Sequence, residues 1–349
     1  IFITGGMGFI GSSVARLAVS RGYSVVNIDC LTYAACTKNV KSIADNKNYY
    51  FEQVDILDRE ALRALFLKYE PDAVMHLAAE THVDRSIDEP TNFVKTNVLG
   101  TLNLLESSRE YWNLNGNPAS FRFHHISTDE VFGSLPSDPS IKFTEATPYS
   151  PRSPYSASKA SSDHLVRSWH ETFDLPVVLT NCSNNYGPYQ FPDKLIPVVI
   201  LNALAGKPLP IYGDGGNVRD WLFVEDHADA LLLVLDRGKV GRSYNIGGEN
   251  ECTNLNLVEM LCSILDRSIS NRLGKYSDLI TFVSDRPGHD ARYAIDPCRM
   301  RDELSWQPAT TLEEGLEETV QWYLCNEDWW RPLLDRSGFG QRLGEIERV

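Results

Sequence analysis

The sequence is poor in positive charge. It carries 33 lysines and arginines against 47 aspartates and glutamates, a formal net charge of −14 over 349 residues. Proteins that grip nucleic acid do so through basic patches that neutralise phosphates, so this composition argues against a nucleic-acid partner. A small anionic ligand, held by a few placed arginines and helix N-termini, remains compatible with it. Long apolar runs are also missing. No stretch approaches the roughly 20 residues a membrane span needs, and no signal peptide is visible, so no membrane partner is expected. The seven cysteines (Cys30, Cys36, Cys182, Cys252, Cys262, Cys298 and Cys325) form no C-x-x-C pair and are odd in number. Scattered thiols suit a reducing compartment better than a disulfide framework, which predicts a cytoplasmic protein. Metal-ligand spacing is absent too. His124 and His125 fall on one strand and so point to opposite faces, while His82 and His289 stand apart from cysteine or carboxylate clusters. No metal centre is expected. The chain opens directly inside a strand and glycine turn at Ile1 to Gly6, which predicts a short N-terminal piece before Ile1.

What is present is an ordinary globular balance, 42% hydrophobic and 23% charged, with neither repeats nor low-complexity segments. Short apolar runs alternate with helical patterns over the first half. Strands are predicted over 1–4, 24–29, 49–55, 73–78, 121–127 and 177–180. Helices are predicted over 11–21, 58–69, 91–108 and 154–173. Such alternation implies parallel pairing through right-handed crossovers. After about residue 181 proline and glycine become frequent and the alternation fades, with one helix (224–236) and one strand (243–246) returning. The fold class is therefore α/β: a doubly wound, mainly parallel Rossmann sheet with a smaller C-terminal α+β domain. Residues 1–180 with about 221–246 form the first domain, and about 181–220 with 247–349 the second. A ligand cleft between them is expected.

Gly6-Met7-Gly8-Phe9-Ile10-Gly11 fits G-x-G-x-x-G between a strand and a helix. Glycines here permit a tight turn and close approach of the backbone to a pyrophosphate, and the helix N-terminus offers N–H groups to the anion. Asp29 ends the second strand, where a carboxylate can accept both ribose hydroxyls of NAD and repel the 2′-phosphate of NADP. Asp55 and Ile56 follow the third strand and would flank the adenine. Leu77, Ala78 and Ala79 provide small residues at a strand end close to the cofactor. Read without this context, the loop is a plain turn and Asp29 a surface acid.

Tyr155-Ser156-Ala157-Ser158-Lys159 is Y-x-x-x-K, and on a helix its two functional residues share a face. The ammonium of Lys159 should stabilise a phenolate at Tyr155, lower its pKa, and make it a base for a hydroxyl losing hydride. Together with the glycine loop this is the pair expected of short-chain dehydrogenases. In that superfamily a Ser or Thr at the preceding strand end binds the reacting hydroxyl, a role that falls to Thr128. Asp129 and Glu130 follow it. Two adjacent carboxylates can divide into acid and base if their surroundings split their pKa values; a solvated loop start is the plain alternative.

The chain resembles the dTDP-glucose 4,6-dehydratases of the extended short-chain dehydrogenase superfamily. The likeness runs nearly end to end. It is carried by Thr4 to Gly11, Ile28 to Ala34, His76 to Ser86, Ser127 to Val131, Pro154 to Lys159, Thr180 to Pro188, Arg219 to Leu222, Tyr244 to Gly248, Asp285 to His289 and the Trp329-Trp330 tail. The resemblance implies that Tyr155 takes the proton of the sugar C4 hydroxyl as hydride leaves C4 for NAD⁺. Glu130 then removes the C5 proton, Asp129 protonates the departing C6 hydroxyl, and hydride returns to C6. It places Gly5, Gly8, Phe9, Ile10 and Gly11 around the dinucleotide, with Asp29, Leu31, Thr32, Asp55 and Ile56. It adds Leu77, Ala78, Ala79 and Thr96, and Tyr155, Lys159 and Asn185 at the reacting end. The nucleotide sugar is assigned Thr81, Thr128, Asn184, Lys194 and Leu195, then Pro210, Tyr212 and Arg219, then Asn254, Arg286 and His289. Arg219 and Arg286 suit a diphosphate.

Three departures from the family pattern are Met7 for alanine, Thr81 for serine and Phe132 for tyrosine; none removes a catalytic group. Competing readings are a nucleotide-sugar 4-epimerase, which has no need of Asp129 and Glu130, a dehydratase of another nucleotide sugar such as UDP-glucose, and a non-catalytic NAD sensor. The resemblance also implies a homodimer, paired through the helices at 91–108 and 154–173. Phe93, Val94, Leu165, Val166 and Trp169 either support that contact or face the core.

Overall fold

The computed structural model describes residues 1–269, 274–285 and 289–337. The strands are β1 (Phe2–Thr4), β2 (Val25–Ile28), β3 (Tyr49–Glu52), β4 (Ala73–His76), β5 (Arg122–Thr128), β6 (Val177–Cys182), β7 (Asn184–Tyr186), β8 (Leu209–Tyr212), β9 (Val218–Phe223), β10 (Ser243–Ile246), β11 (Glu251–Thr253) and β12 (Ile280–Val283). Seven of them form a wholly parallel sheet in the order β10-β6-β5-β4-β1-β2-β3. The chain starts in the interior of this sheet at β1, builds outward through β2 and β3, and then reverses direction to β4. The reversal point lies beside β1, where doubly wound sheets open a crevice at their strand ends.

Both faces of the sheet are covered, which is why its central strands are buried without alternation. Successive residues serve opposite layers. Ile3, Met75 and Val178 pack with Val14, Ala18, Ala228 and Leu231 of the Phe9–Ser20 and Val224–Arg237 helices. Phe2, Val74 and Phe123 pack with Leu62, Phe66, Leu104 and Val166 of the Arg59–Tyr69, Thr101–Leu114 and Pro154–Phe173 helices. Sequence-local signals set several boundaries. Asp58 accepts from the Ala61 N–H at one helix start. Ser153 and Ser156 cap one another at another, with Pro154 in the first turn.

Two stretches differ from the sequence reading. The helix predicted over 91–108 is a composite of Pro90–Phe93, a π-helical turn Val94–Gly100, and Thr101–Leu114. The turn brings Asn97 inward to bond the backbone of Glu80 and the Ser158 hydroxyl. The proline-rich stretch after residue 184 is also more regular than expected. It contains β7, the Leu195–Leu204 helix and β8, and Pro197 is accommodated in the helix's first turn, where its missing N–H has no carbonyl to serve.

The chain then forms two smaller sheets, β11-β9-β7 and β12-β8. They share a separate core with Tyr186, Trp221, Phe223, Leu257, Leu316 and Tyr323. Among the described residues, no helix is long and apolar enough to cross a membrane.

Candidate functional site

A cavity of about 430 Å³ opens over the C-terminal ends of β1, β2, β4, β5 and β6. Gly5, Gly8, Phe9, Ile10 and Gly11 line one end of it. Gly5 has φ +72°, and a Cβ there would lie 2.8 Å from the Ala78 backbone; a Cβ on Gly11 would lie 2.2 Å from the Gly5 carbonyl oxygen. Only glycine allows this packing of loop against strand. Gly8 caps the Phe9–Ser20 helix with no side-chain hydrogen bond, and no acid occupies the first turn. The helix N-terminus therefore faces the cavity uncompensated, as a pyrophosphate requires. Asp29 is buried and accepts the Met7 N–H at 3.0 Å and the Leu31 N–H at 2.8 Å. Burial pushes its pKa up, and the two backbone donors oppose this. Leu31 adopts φ +60°, a strained conformation that turns its N–H onto Asp29. Among the described residues lining the cavity there is no arginine for a 2′-phosphate. Asp55, Ile56, Leu77, Ala78, Ala79, Thr96 and Asn185 line the same cavity, as does Thr32; Leu31 instead faces a neighbouring cavity beside Trp329. The fit to an unphosphorylated dinucleotide is close.

The floor is the end of β5 and the face of the Pro154–Phe173 helix. Thr128, Asp129, Glu130, Tyr155 and Lys159 all line it. The Thr128 hydroxyl accepts the Glu130 N–H at 3.2 Å and donates to Asp129 at 3.3 Å. Asp129 is almost fully buried, and its Oδ2 makes no hydrogen bond among the described residues. Burial, then the charges of Glu130 and Asp220, hold its pKa well above the ordinary carboxylate range. The charged form of Asp129 is thus disfavoured beside a second carboxyl, the direction of split an acid–base pair needs. Lys159 Nζ donates to the Ile126 carbonyl at 2.8 Å. The sequence reading of a depressed Tyr155 pKa is corrected: in the protein alone it is raised well above its ordinary value, by burial first and then by Glu130. Lys159 is itself pushed down by burial.

The residues assigned to the nucleotide sugar fall into two groups. Thr81, Thr128, Asn184, Lys194 and Leu195 line the cavity with the others. Pro210, Tyr212, Arg219, Asn254 and His289 do not. They cluster on the smaller sheets: Tyr212 sits 6.3 Å ring to ring from His289, which bonds Asp285, and Asn254 starts the Asn254–Ser268 helix. The Arg219 guanidinium bonds the Asp290 carbonyl and lies 4.3 Å over the Tyr293 ring. Arg286 lies outside the described residues. Three groups escaped sequence reasoning. Glu80 and Asp193 line the cavity, each with a pKa raised by burial, and Tyr293 stands close enough to Glu130 to feel its charge. Glu80 and Asp193 adjoin residues that were singled out, but no spacing rule distinguishes them. Phe132, one of the departures, stacks on Phe143 with ring centroids 5.1 Å apart, away from any polar role. Among the described residues no cluster of metal-ligating side chains occurs.

A family model described as GDP-mannose 4,6 dehydratase matches residues 2–319. The dTDP-glucose 4,6-dehydratase of Neisseria meningitidis serogroup B is 56% identical over 99% of this chain and 98% of its own length. A crystal structure of dTDP-glucose 4,6-dehydratase from Bacillus anthracis in complex with NAD superposes with a TM-score of 0.84 at 45% identity, covering 95% of this chain and 98% of that one. The Streptomyces venezuelae enzyme of the same name, also solved with NAD, gives 0.87 at 41%, covering 95% and 99%.

Proposed function

The chain belongs to the dTDP-glucose 4,6-dehydratase family, and from that premise we propose that it converts dTDP-glucose to dTDP-4-keto-6-deoxyglucose with NAD as its cofactor. The observation that carries this reading is the buried Asp129 next to Glu130, its pKa pushed up by burial, in one cavity with Tyr155, Lys159 and the glycine loop. An epimerase has no use for that carboxyl pair. The loop residues Gly5 to Gly11 hold the pyrophosphate, Asp29 the adenosine ribose, and Lys159 with Asn185 the nicotinamide end. When bound, NAD would supply reversible hydride acceptance within one catalytic cycle. Tyr155 Oη takes the proton from the C4 hydroxyl, which Thr128 orients. The resting phenol of Tyr155 is raised by burial and Glu130, so its deprotonation calls for the cationic charges at the nicotinamide end and at Lys159. The C4 ketone acidifies C5, Glu130 removes the C5 proton, and Asp129 delivers its proton to the leaving C6 hydroxyl; reprotonation of C5 as C6 is reduced completes the product.

Thr81, Asn184, Lys194 and Leu195 hold the sugar end of the substrate. Arg219, Tyr212, Pro210, Asn254, Arg286 and His289 take the nucleotide and diphosphate, which reach out of the cavity toward the smaller sheets. Residues 1–180 with about 221–246 form the NAD-binding domain, and about 181–220 with 247–349 the nucleotide-sugar domain. The enzyme works in the cytoplasm as a homodimer through the helical run at 90–114 and the Pro154–Phe173 helix. Val94 and Leu99 are about half exposed there. Phe93 and Val166 belong to the core and cannot serve the contact. Incubation of the purified protein with dTDP-glucose, without added cofactor, tests substrate, reaction and retained NAD together. A 4-keto product absorbing in alkali is expected. The 4-epimer as sole product, or turnover of UDP-glucose alone, overturns the assignment.

A further inference from the structure

Beneath the cavity floor, on the side away from the ligand, lies a buried carboxylate that none of these roles uses. Asp163 is fully buried one helical turn beyond Lys159, on the face that packs against β5. Its Oδ1 accepts from His125 Nε2 at 3.1 Å. Its Oδ2 accepts from the Ser127 and Tyr149 hydroxyls, both at 2.8 Å, and from the Asn181 amide at 3.5 Å. Those donors come from β5, β6 and the loop before the helix. Asn181 also bonds the Thr128 carbonyl at 3.0 Å. Arg167, one turn further along, bonds the Tyr149 hydroxyl and lies over its ring.

We propose that Asp163 is a positioning residue, which ties the strand end carrying Thr128, Asp129 and Glu130 to the helix carrying Tyr155 and Lys159, and supplies the buried counter-charge for the Lys159 ammonium. The hydrogen-bond network joining β5, β6, the loop and the helix carries it, and three electrostatic tendencies agree. An isolated carboxylate would not remain ionised at such depth, yet hydrogen bonds from His125 and Ser127 and the charge of Lys159 outweigh burial and hold Asp163 below its ordinary pKa. Lys159 is buried, and among the described residues its hydrogen bond goes to the neutral Ile126 carbonyl; Asp163 is the largest influence keeping it charged against burial. His125 cannot be that counter-ion, because burial lowers its pKa to about 4 and leaves it a neutral donor. The charged and titratable groups facing Asp163 are thus His125 of β5, Tyr149 of the loop, and Lys159 and Arg167 of its own helix, with His76 of β4 ringed against His125 at 5.3 Å.

The test rests on the roles proposed for Tyr155 and Lys159, and its two arms separate failure of those roles from failure of the pairing. Asp163→Asn keeps the shape and removes the charge. The first arm is thermal stability in the cycle of Asp163→Asn, Lys159→Met and the double variant, which reads the pair whatever reaction the enzyme performs. Asp163→Asn should lower Tm by about 5 °C or more, and by clearly less when Lys159 is already methionine. Equal drops in both backgrounds overturn the pairing. If Asp163→Asn alone does not fold, recovery of a folded double variant supports the pair and its failure overturns it. The second arm is the ratio of variant to wild-type kcat across pH. Without the anion, Lys159 loses its proton at lower pH, so the ratio should fall as pH rises, while KM for dTDP-glucose stays within about twofold. Tyr149→Phe removes a hydrogen bond and keeps the charge, and its ratio should be flat. A flat ratio for Asp163→Asn, or an equal slope for Tyr149→Phe, overturns the charge role.

Discussion

The upper and lower sides of the β5 end each hold a buried carboxyl, and the two are driven in opposite directions. Asp129, on the cavity side, has one weak hydroxyl contact and faces Glu130 and Asp220. Asp163, on the underside, gathers donors from His125, Ser127, Tyr149 and Asn181. Burial acts against the charge in both. In one case the Arg219 charge and the Thr128 hydroxyl are too weak to offset it and the pKa is driven up; in the other the donors and the Lys159 charge prevail and it is driven down. Depth alone therefore says little about a carboxyl's charge. The company it keeps decides whether it can deliver a proton or only hold a scaffold.

This contrast can be broken in order of expected effect. Glu130→Gln and Asp129→Asn should each lower kcat by about 10²–10⁴-fold. For Glu130→Gln, absorbance of the reduced cofactor should grow without any 6-deoxy product, and normal turnover would refute the base assignment. Asp129→Asn should leave stability at neutral pH unchanged or raised, because the residue it replaces is already uncharged. Asp163→Asn should behave oppositely, costing about 3–5 kcal/mol in chemical denaturation by stranding a buried cation. The pH dependence sharpens this further. Since the folded pKa of Asp163 lies below the unfolded value of about 4, its contribution is complete above that value and lost as pH falls through the folded one. The variant's Tm should consequently decline less steeply between about pH 5 and 3 than that of the wild type. Smallest of all, Ser127→Ala or Tyr149→Phe should cost about 1 kcal/mol each by the same denaturation measurement, because the charge and the other donors survive.

Much of this was legible in the chain itself. The glycine loop, Asp29 and the Tyr155–Lys159 pair announce themselves because each depends on short-range spacing: a turn between strand and helix, a strand end, one helical turn. The parallel sheet was legible for the same reason, since apolar runs and helical patterns alternate through β6. Other features depend on what arrives from far away. The π-helical turn at Val94–Gly100 brings Asn97 to Glu80 and Ser158, and no local pattern in 91–108 foretells it. The direction of the Tyr155 shift is fixed by burial and by Glu130, not by the lysine one turn away. Asp163 reads as an ordinary helix acid until β5 and β6 surround it. Frequent proline and glycine after about residue 181 hid the Leu195–Leu204 helix, although a first-turn proline such as Pro197 is harmless. The cluster of Pro210, Tyr212, Asn254 and His289 stands apart from the cavity floor because it lies on or beside the smaller sheets.

The parallel pairing of β10 with β6 has a practical consequence for anyone wishing to dissect the enzyme. The chain leaves the large sheet at Cys182, passes through β7, β8 and β9, and only then returns to add Ser243–Ile246 beside Leu179 to Cys182. Neither layer system can be excised as one uninterrupted fragment. A truncation after Cys182 would expose the bonding edge of β6 and strip the Val224–Arg237 helix from Val14 and Ala18, inviting self-association. Expression of the seven-stranded-sheet portion alone would need the Val224–Arg237 helix and β10 grafted back through a designed linker.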